Sequence, residues 1–541
     1  MRLHQSHYTG SRIYQSMMKF LLLLTALSWP RESCGHNILV FLPNPMWSQY
    51  NQVELLFHAL AKRGHNMTVV SPYPPKNKTS NFRHILLSAD RWVKNSPNSN
   101  MMEWSLSNRV ASRSEWKDIS DMIVPQILES TAFYDLTHGD NKFDLIFMEL
   151  FFAQEALVVL GHLFNAPIVT YSFYGYDSDI LRYSGAANAV GYLPFKELEY
   201  AGPMSLGQRL ENAWIQYSNM LYNEYWYYPH HDALLAQHFP GPLPRITDML
   251  RNVSLYFLTG NAVLDGAKLY PPNVIEISGL HTEDPAPLDE ELEVIMRRSK
   301  RGVIFFSFGS LLKASNMRKE AVLAFLSAFK GLHQTVLWKS DLNPSEWAIP
   351  NNVYVRKWFD QKSILAHPNC VLFLTHCGIS STMEAIRYAV PVVGMPFYAD
   401  QNIHVAYVEY FGYGVHLSYR NLTENSLRWA LKTVLENPRF KDNISRASKV
   451  FSDKPMSPLD TAIYWIEYVI RHKGAHHLKP LAAKIPWYQL FLLDVVAVYL
   501  LVLVVIIYLA VKLLFFVLRQ IVQIPKSSRN KKKKQNKTVS H

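Results

Sequence analysis

Between Trp358 and Gln401 the chain gathers residue types that could bind a phosphorylated, hydroxyl-rich ligand. An apolar run ends at Leu374, and Thr375-His376-Cys377-Gly378-Ile379-Ser380-Ser381-Thr382-Met383-Glu384 follows. Such a run reads as a strand, a loop bearing His376 and Gly378, and a helix that begins near Ser381. The free N–H groups of a helix N-terminus, beside hydroxyls at Ser380, Ser381 and Thr382, form a site for a diphosphate. His376 can donate to a phosphate oxygen, and Glu384, one turn on, can accept from a pair of ribose hydroxyls. Upstream, Trp358-Phe359-Asp360-Gln361 offers a flat ring for a base. Downstream, Asp400-Gln401 supplies the paired acceptor and donor that sugar hydroxyls require. Singly, each has an ordinary reading: His-x-Gly as a turn, Trp358 as core, Glu384 as a solvated helix residue. Their joint spacing favours a site.

The elements that must position these residues follow from hydrophobic periodicity. Asn37 to Leu42 is a continuous apolar run, as expected of a strand in a parallel sheet covered on both faces. Val53, Leu56, Phe57 and Leu60 recur at helical spacing until Arg63-Gly64, and Met67 to Ser71 is the next strand. This βαβ unit opens a doubly wound fold. Leu145–Phe147, Ile168–Tyr171 and Leu255–Leu258 read as further strands, whereas residues 80–135 read as helices and loops. A stretch rich in Pro, Gly and acids, from Tyr270 to Pro287, marks a linker. The alternation then restarts with a strand at Val303–Phe308, a helix at about Arg318–Leu332, and strands at Thr335–Trp338, Val353–Val355 and Val371–Leu374.

The charge of the 541-residue chain describes its ends. Of 55 Lys and Arg, nine fall in residues 512–541 and four in residues 1–35, while Glu32 is the one acid in either segment. The body between them is formally neutral despite a net charge of +12, which argues against a nucleic-acid-binding surface. Hydrophobic residues at 49% can bury a large core, which argues against disorder, and three cysteines cannot staple a scaffold of this size. Phe20 to Leu27, behind Lys19 and ahead of Ser33 and Gly35, has the layout of a secretory signal peptide. Val495 to Val511 carries no charge and is followed by Lys512, a further apolar stretch and a lysine-rich tail. A single membrane span with a cytosolic tail is expected, with the body in the secretory lumen. Asn66, Asn77, Asn252, Asn421 and Asn443 head glycosylation triplets, Asn66 at the start of an apolar strand where it would be buried.

The motif from Trp358 to Gln401 resembles the signature of the UDP-glycosyltransferase family, the membrane-bound animal enzymes that include glucuronosyl- and glucosyltransferases. The resemblance extends over Arg63-Gly64-His65, Gly279-Leu280-His281, the span and the tail. It implies an α/β chain of GT-B fold, two Rossmann-like domains facing a cleft, plus one C-terminal transmembrane helix. The implied layout is a signal peptide at 1–35, an acceptor-binding domain at 36–284 and a UDP-sugar-binding domain at 285–480 whose end crosses back. A transmembrane segment at 489–518 and a basic tail at 519–541 complete it.

Position by position, the resemblance implies that Trp358 and Gln361 meet uracil, and Glu384 the ribose. Ser310, His376, Gly378 and Ser381 would hold the diphosphate, and Asp400 and Gln401 the sugar. No metal or cofactor is implied, because the helix dipole and hydrogen-bond donors neutralise departing UDP. The partners implied are a UDP-sugar, a small lipophilic acceptor and the endoplasmic reticulum membrane, crossed once in type I orientation, with room for a homo-oligomer. The aromatic run Tyr217, Tyr222, Tyr225, Trp226, Tyr227 and Tyr228 offers either an acceptor pocket or a packed helix.

Three positions depart from the family pattern. Asp360 stands where Pro is usual, and Cys377 where animal members usually have Gly. The third concerns the base. The family places a His fourteen residues before the Arg of Arg-Gly-His, oriented by an Asp after a Phe-Asp strand. Here those positions are Gln49 and Glu149. Glutamine accepts no proton near neutral pH, although proton removal from the acceptor hydroxyl is part of the transfer. Three readings follow. Glu149, directly or through water, takes the proton of an acidic acceptor such as a phenol; the acceptor is an amine or thiol needing little assistance; or the protein binds a nucleotide sugar without transferring it. The intact donor motif favours transfer.

Overall fold

The computed structural model describes residues 35–75, 80–88, 102, 113–186, 189–282, 285–310 and 312–535. The expected signal peptide, the Asn77 triplet and the end of the tail lie outside them. The chain divides into two units, residues 1–479 and 480–541.

In the first unit, two parallel sheets carry the fold. Seven strands form one: β1 (Asn37–Phe41), β2 (Asn66–Ser71), β3 (Phe82–Leu86), β4 (Leu145–Met148), β5 (Ile168–Ser172), β6 (Leu255–Leu258) and β7 (Val274–Glu276). Their spatial order is β3-β2-β1-β4-β5-β6-β7. The other has β8 (Val303–Ser307), β9 (Thr335–Lys339), β10 (Val353–Arg356), β11 (Cys370–Thr375), β12 (Val392–Gly394) and β13 (Gly414–His416). These lie in the order β10-β9-β8-β11-β12-β13. Each sheet reverses strand order beside its first strand, which in open α/β sheets opens a crevice at the carboxyl ends of the strands.

Both faces of each sheet are buried, which is why the strands are apolar without alternation. Leu39 and Phe41 of β1 pack on one side, against Val124, Phe133 and Tyr183. Ile38 and Val40 pack on the other, against Val53, Leu56 and Phe57 of the first helix, Trp47–Lys62. Likewise Ile304 and Phe306 of β8 share one core layer with Phe325 and Trp338, while Val303 and Phe305 share the other with Met383 and Phe373. Burying one such side chain is worth about 1.5–3 kcal/mol.

The helix Pro458–Arg471 lies on the first sheet although it follows the second in sequence. Its Ala462, Ile463, Ile466 and Val469 join the layer of Val53 and Phe57. Arg63 at the end of the first helix donates to Glu467 through Nε at 2.7 Å and Nη2 at 3.1 Å.

The expected elements need correcting in three places. The region read as helices and loops from residue 80 contains β3, an edge strand whose residues are mostly half-exposed and so show no core pattern. The stretch read as a linker contains β7, three residues paired with β6 and too short for periodicity to reveal. Asn66 is exposed, donating to the Asn37 side chain at 3.0 Å.

In the second unit a helix runs Leu493–Gln535, and its stretch Leu493–Val522 is long and apolar enough to cross a membrane. It starts after Leu492, whose positive φ of 55° separates it from the short helix Trp487–Leu490.

Candidate functional site

The carboxyl ends of β8, β9 and β11 open into a cleft of about 410 Å³. From the second sheet it is lined by Ser310, Trp358, Gln361, His376, Gly378, Ser381, Glu384, Asp400 and Gln401, and from the first by Trp47, Ser48, Asn51, Gln52, Phe152 and Phe173. Residues read as one site over a span of ninety positions thus share one wall.

The loop after β11 is fixed by its backbone. Cys377 has a φ of 60°, and Gly378 is the residue from which the helix Ile379–Arg387 starts. A Cβ at Gly378 would lie 2.6 Å from His376 Nε2, and one at Gly309 2.8 Å from His376 Cε1, so both glycines are needed to seat the ring. Burial lowers His376 to about 4, with Lys339 lowering and Asp400 raising it, so the imidazole is neutral near pH 7. A neutral ring presents one N–H to a ligand.

Gln361 donates to Glu384 at 2.7 Å and to Ser381 Oγ at 3.2 Å. Burial pushes the Glu384 carboxyl up to about 7, against the pull of the Gln361 hydrogen bond. Its other oxygen is 3.6 Å from His281, itself lowered to about 4 by burial and by Lys362. Asp360 caps the helix Gln361–Ala366 and accepts from Ser363 Oγ at 2.8 Å.

Trp358 is 62% exposed, its ring free for stacking apart from the ammonium of Lys339, 4.3 Å from its centroid. Lys339 also donates to the Gly309 carbonyl at 3.0 Å. At the far end Gln401 accepts from the Phe397 N–H at 2.9 Å, and Asp400 contacts His404 at 3.1 Å. Cys377 is fully buried among apolar residues, and burial pushes its thiol up, so it packs rather than reacts.

Gln49 and Glu149 stand apart from this cleft. They share a separate small cavity with Leu42, Asn44, Gln154 and Tyr171, and Phe173 lines both spaces. Gln49 Nε2 is 2.9 Å from Met46 Sδ, and Glu149 accepts from Gln154 Nε2. The free oxygens of Glu149 and Gln154 and both polar atoms of Asn44 have no hydrogen-bond partner among the described residues. Burial, then the charge of Glu155, pushes the Glu149 carboxyl well above the usual range, while Lys196 and Gln154 pull it back.

The aromatic run lines neither space. Tyr227 and Tyr228 are core residues of the first sheet, and Tyr225 and Trp226 face outward. Sequence reasoning missed Gln52 and Lys339, and it quoted His281 without giving it a place in the site. Lys339 ends a strand at the sheet's carboxyl edge, and Gln52 lies one turn beyond Gln49, which are the signals that would have found them.

The model of the family described as "UDP-glucoronosyl and UDP-glucosyl transferase" matches residues 46–528. The chain belongs to this family. Among relatives, UDP-glycosyltransferase UGT4 of Dactylopius coccus is 34% identical over 508 residues, covering 92% of this chain and 97% of its own. Human UDP-glucuronosyltransferase 2B15 is 28% identical, covering 96% and 98%. Among solved structures, the calicheamicin glycosyltransferase CalG4 aligns with a TM-score of 0.58 at 17% identity, over 81% of this chain and 99% of its own. A UDP-glucosyltransferase from Polygonum tinctorium aligns with a TM-score of 0.55 at 14% identity, with the same coverage. These likenesses give the GT-B fold, and the family gives a transferase of sugar from a UDP-sugar.

Proposed function

We propose that this UDP-glycosyltransferase moves a hexosyl group from its donor to a small lipophilic acceptor with inversion at the anomeric carbon. The supporting observation is the convergence of the nine donor-motif residues on one cleft wall opposite Gln52, Phe152 and Phe173. In this reading Trp358 stacks on uracil and Gln361 meets its edge, while Glu384 accepts from the ribose. His376, Ser310, Ser381 and the Gly378 end of the helix hold the diphosphate. Asp400 and Gln401 fix the hexose. The acceptor atom attacks the anomeric carbon from the face opposite UDP. The bond to the β-phosphate oxygen breaks, and UDP leaves with its electron pair, stabilised by the helix N-terminus and by Lys339.

The acceptor's proton goes to Glu149 through water in the buried polar cavity, or to solvent when the acceptor is an amine that retains little need for a base. The membrane enters through Leu493–Val522, in single-pass type I orientation in the endoplasmic reticulum. A second reading, donor binding without transfer, is favoured by one observation: Gln49 points out of the cleft and brings no proton acceptor to it.

Full-length protein in detergent, offered UDP-sugars with phenolic, alcoholic and amine acceptors, tests both readings. Transfer is expected to phenols or amines, and Gln49→His is expected to extend it to alcohols. UDP-sugar binding without turnover, persisting in Asp400→Ala, would select the second reading. Absence of donor binding would remove both.

A further inference from the structure

Asp400 is the residue from which the helix Gln401–Tyr410 starts. An aspartate at that position ordinarily accepts from the first free N–H groups of its own helix. Asp400 makes no such bond. Ala399 before it has a φ of 54°, a left-handed conformation that an alanine adopts at a cost. Gln401 after it is spent on the loop, its Oε1 accepting from the N–H groups of Phe397 and Tyr398. The Asp400 carboxylate therefore lines the cleft without a capping role.

His404 is the partner of that carboxylate. Residues four apart share a face of a helix, and His404 Nε2 lies 3.1 Å from Asp400 Oδ2. The His404 ring is 2% exposed, and the contact is close without being aligned as a hydrogen bond. Neither ring nitrogen has another hydrogen-bond partner among the described residues. A buried imidazole N–H without an acceptor is costly, and Asp400 is the carboxylate within its reach. Hydrogen bonds of a site commonly tighten only once substrate is bound. Facing a carboxylate, Nε2 is the nitrogen that carries the proton, whether the ring is neutral or charged.

We propose that His404 is a positioning residue for the donor sugar. Its Nε2–H holds one oxygen of Asp400 and leaves the other to accept from a hydroxyl of the hexose. The proposal rests on the reading that Asp400 meets the hexose, and it adds the residue that sets the geometry of that carboxylate. A carboxylate left to turn also reaches the free N–H groups of its own helix, where it is lost to the sugar. His404 thus selects the sugar-binding arrangement over the capping one. Its effect appears with a UDP-sugar and vanishes with UDP, which lacks the group that Asp400 holds.

The test titrates full-length protein in detergent with UDP, UDP-glucose and UDP-glucuronate in a calorimeter. The parent is compared with His404→Leu, which has no N–H, and with His404→Asn, whose amide can donate in its place. Asp400→Ala and the double variant Asp400→Ala with His404→Leu complete the set. His404→Leu is expected to leave the dissociation constant for UDP unchanged and to weaken the tighter-binding UDP-sugar about tenfold. His404→Asn is expected to recover most of that loss. In the Asp400→Ala background His404→Leu is expected to add nothing, because its partner is already gone. Equal weakening of UDP and UDP-sugar overturns the proposal, as does the same loss with and without Asp400, because either makes His404 a packing residue. Failure of His404→Asn to recover affinity overturns it too. Unchanged UDP-sugar affinity in His404→Leu, with weakening in Asp400→Ala, overturns it and leaves Asp400 on the sugar. If Asp400→Ala binds every ligand as the parent does, the reading of Asp400 falls and the proposal falls with it.

Discussion

Gln52 on the first helix donates to Ser380 Oγ on the opposite wall of the cleft at 2.6 Å, and it accepts from the Tyr171 hydroxyl. One buried amide thus ties the strand ends of the first sheet to the helix N-terminus proposed to hold the diphosphate. Gln52→Ala leaves the Tyr171 hydroxyl buried without its acceptor and frees Ser380. The expected cost is about 1–3 kcal/mol of stability, seen as a lower melting temperature, with weaker UDP affinity by calorimetry. A variant with unchanged affinity would separate Ser380 from the donor.

Glu384 gives a pH dependence of definite sign. Its carboxyl is raised from 4.5 to about 7, so between these values the folded state holds a proton that the unfolded state has lost. Stability from this group therefore falls as pH rises through that window, and Glu384→Gln removes the slope. In the proposed function ribose hydroxyls donate to the ionised form, so UDP affinity is expected to rise between about pH 6 and about pH 8. Calorimetric titration across that range checks both the slope and its loss in Glu384→Gln.

The parts of this architecture readable from sequence were those whose signal is local. β1, β8 and β11 are covered on both faces and appear as unbroken apolar runs. The donor motif is contiguous because α/β folds collect a site from successive strand ends. What escaped depends on partners distant in sequence. β3 and β7 are edge strands defined by their neighbours, and Gln52 acquires its role from a residue 328 positions away. The orientation of the helix Leu206–Tyr222 escaped for another reason. Its spacing is that of any amphipathic helix, and only packing shows that Asn212 and Gln216, rather than Leu210 and Trp214, face the protein.

The pair Arg63–Glu467 tests the helix that crosses back. Burial raises the Glu467 carboxyl, but hydrogen bonds from Arg63 and His65 outweigh it and hold the group below its ordinary range. A depressed carboxyl contributes stability that is present above its unfolded value and lost as pH falls through the folded one. Arg63 is about half exposed, which discounts the pair. Glu467→Ala is expected to lose about 1 kcal/mol at neutral pH and less in acid. Denaturant melts at two pH values check it.

The proposed route of the acceptor's proton to Glu149 is open to test. It lies outside the donor cleft, so Glu149→Gln is expected to leave the dissociation constant for UDP unchanged. If Glu149 is the base through water, phenol transfer requires its carboxylate and rises with pH through an inflection well above ordinary glutamate. Glu149→Gln then removes that limb and lowers kcat by about 100- to 10,000-fold. The same shift has a stability consequence: the folded state holds the proton longer than the unfolded chain, so stability falls as pH rises through the raised value. Glu149→Gln is therefore expected to melt higher than the parent on the alkaline side, even as it loses transfer. Gln49→His places an imidazole in the cavity that holds Glu149, and its kcat for alcohols should rise in the single variant but not in the double variant with Glu149→Gln. Amine transfer that survives Glu149→Gln intact would instead assign the reaction to acceptors that release their proton unaided.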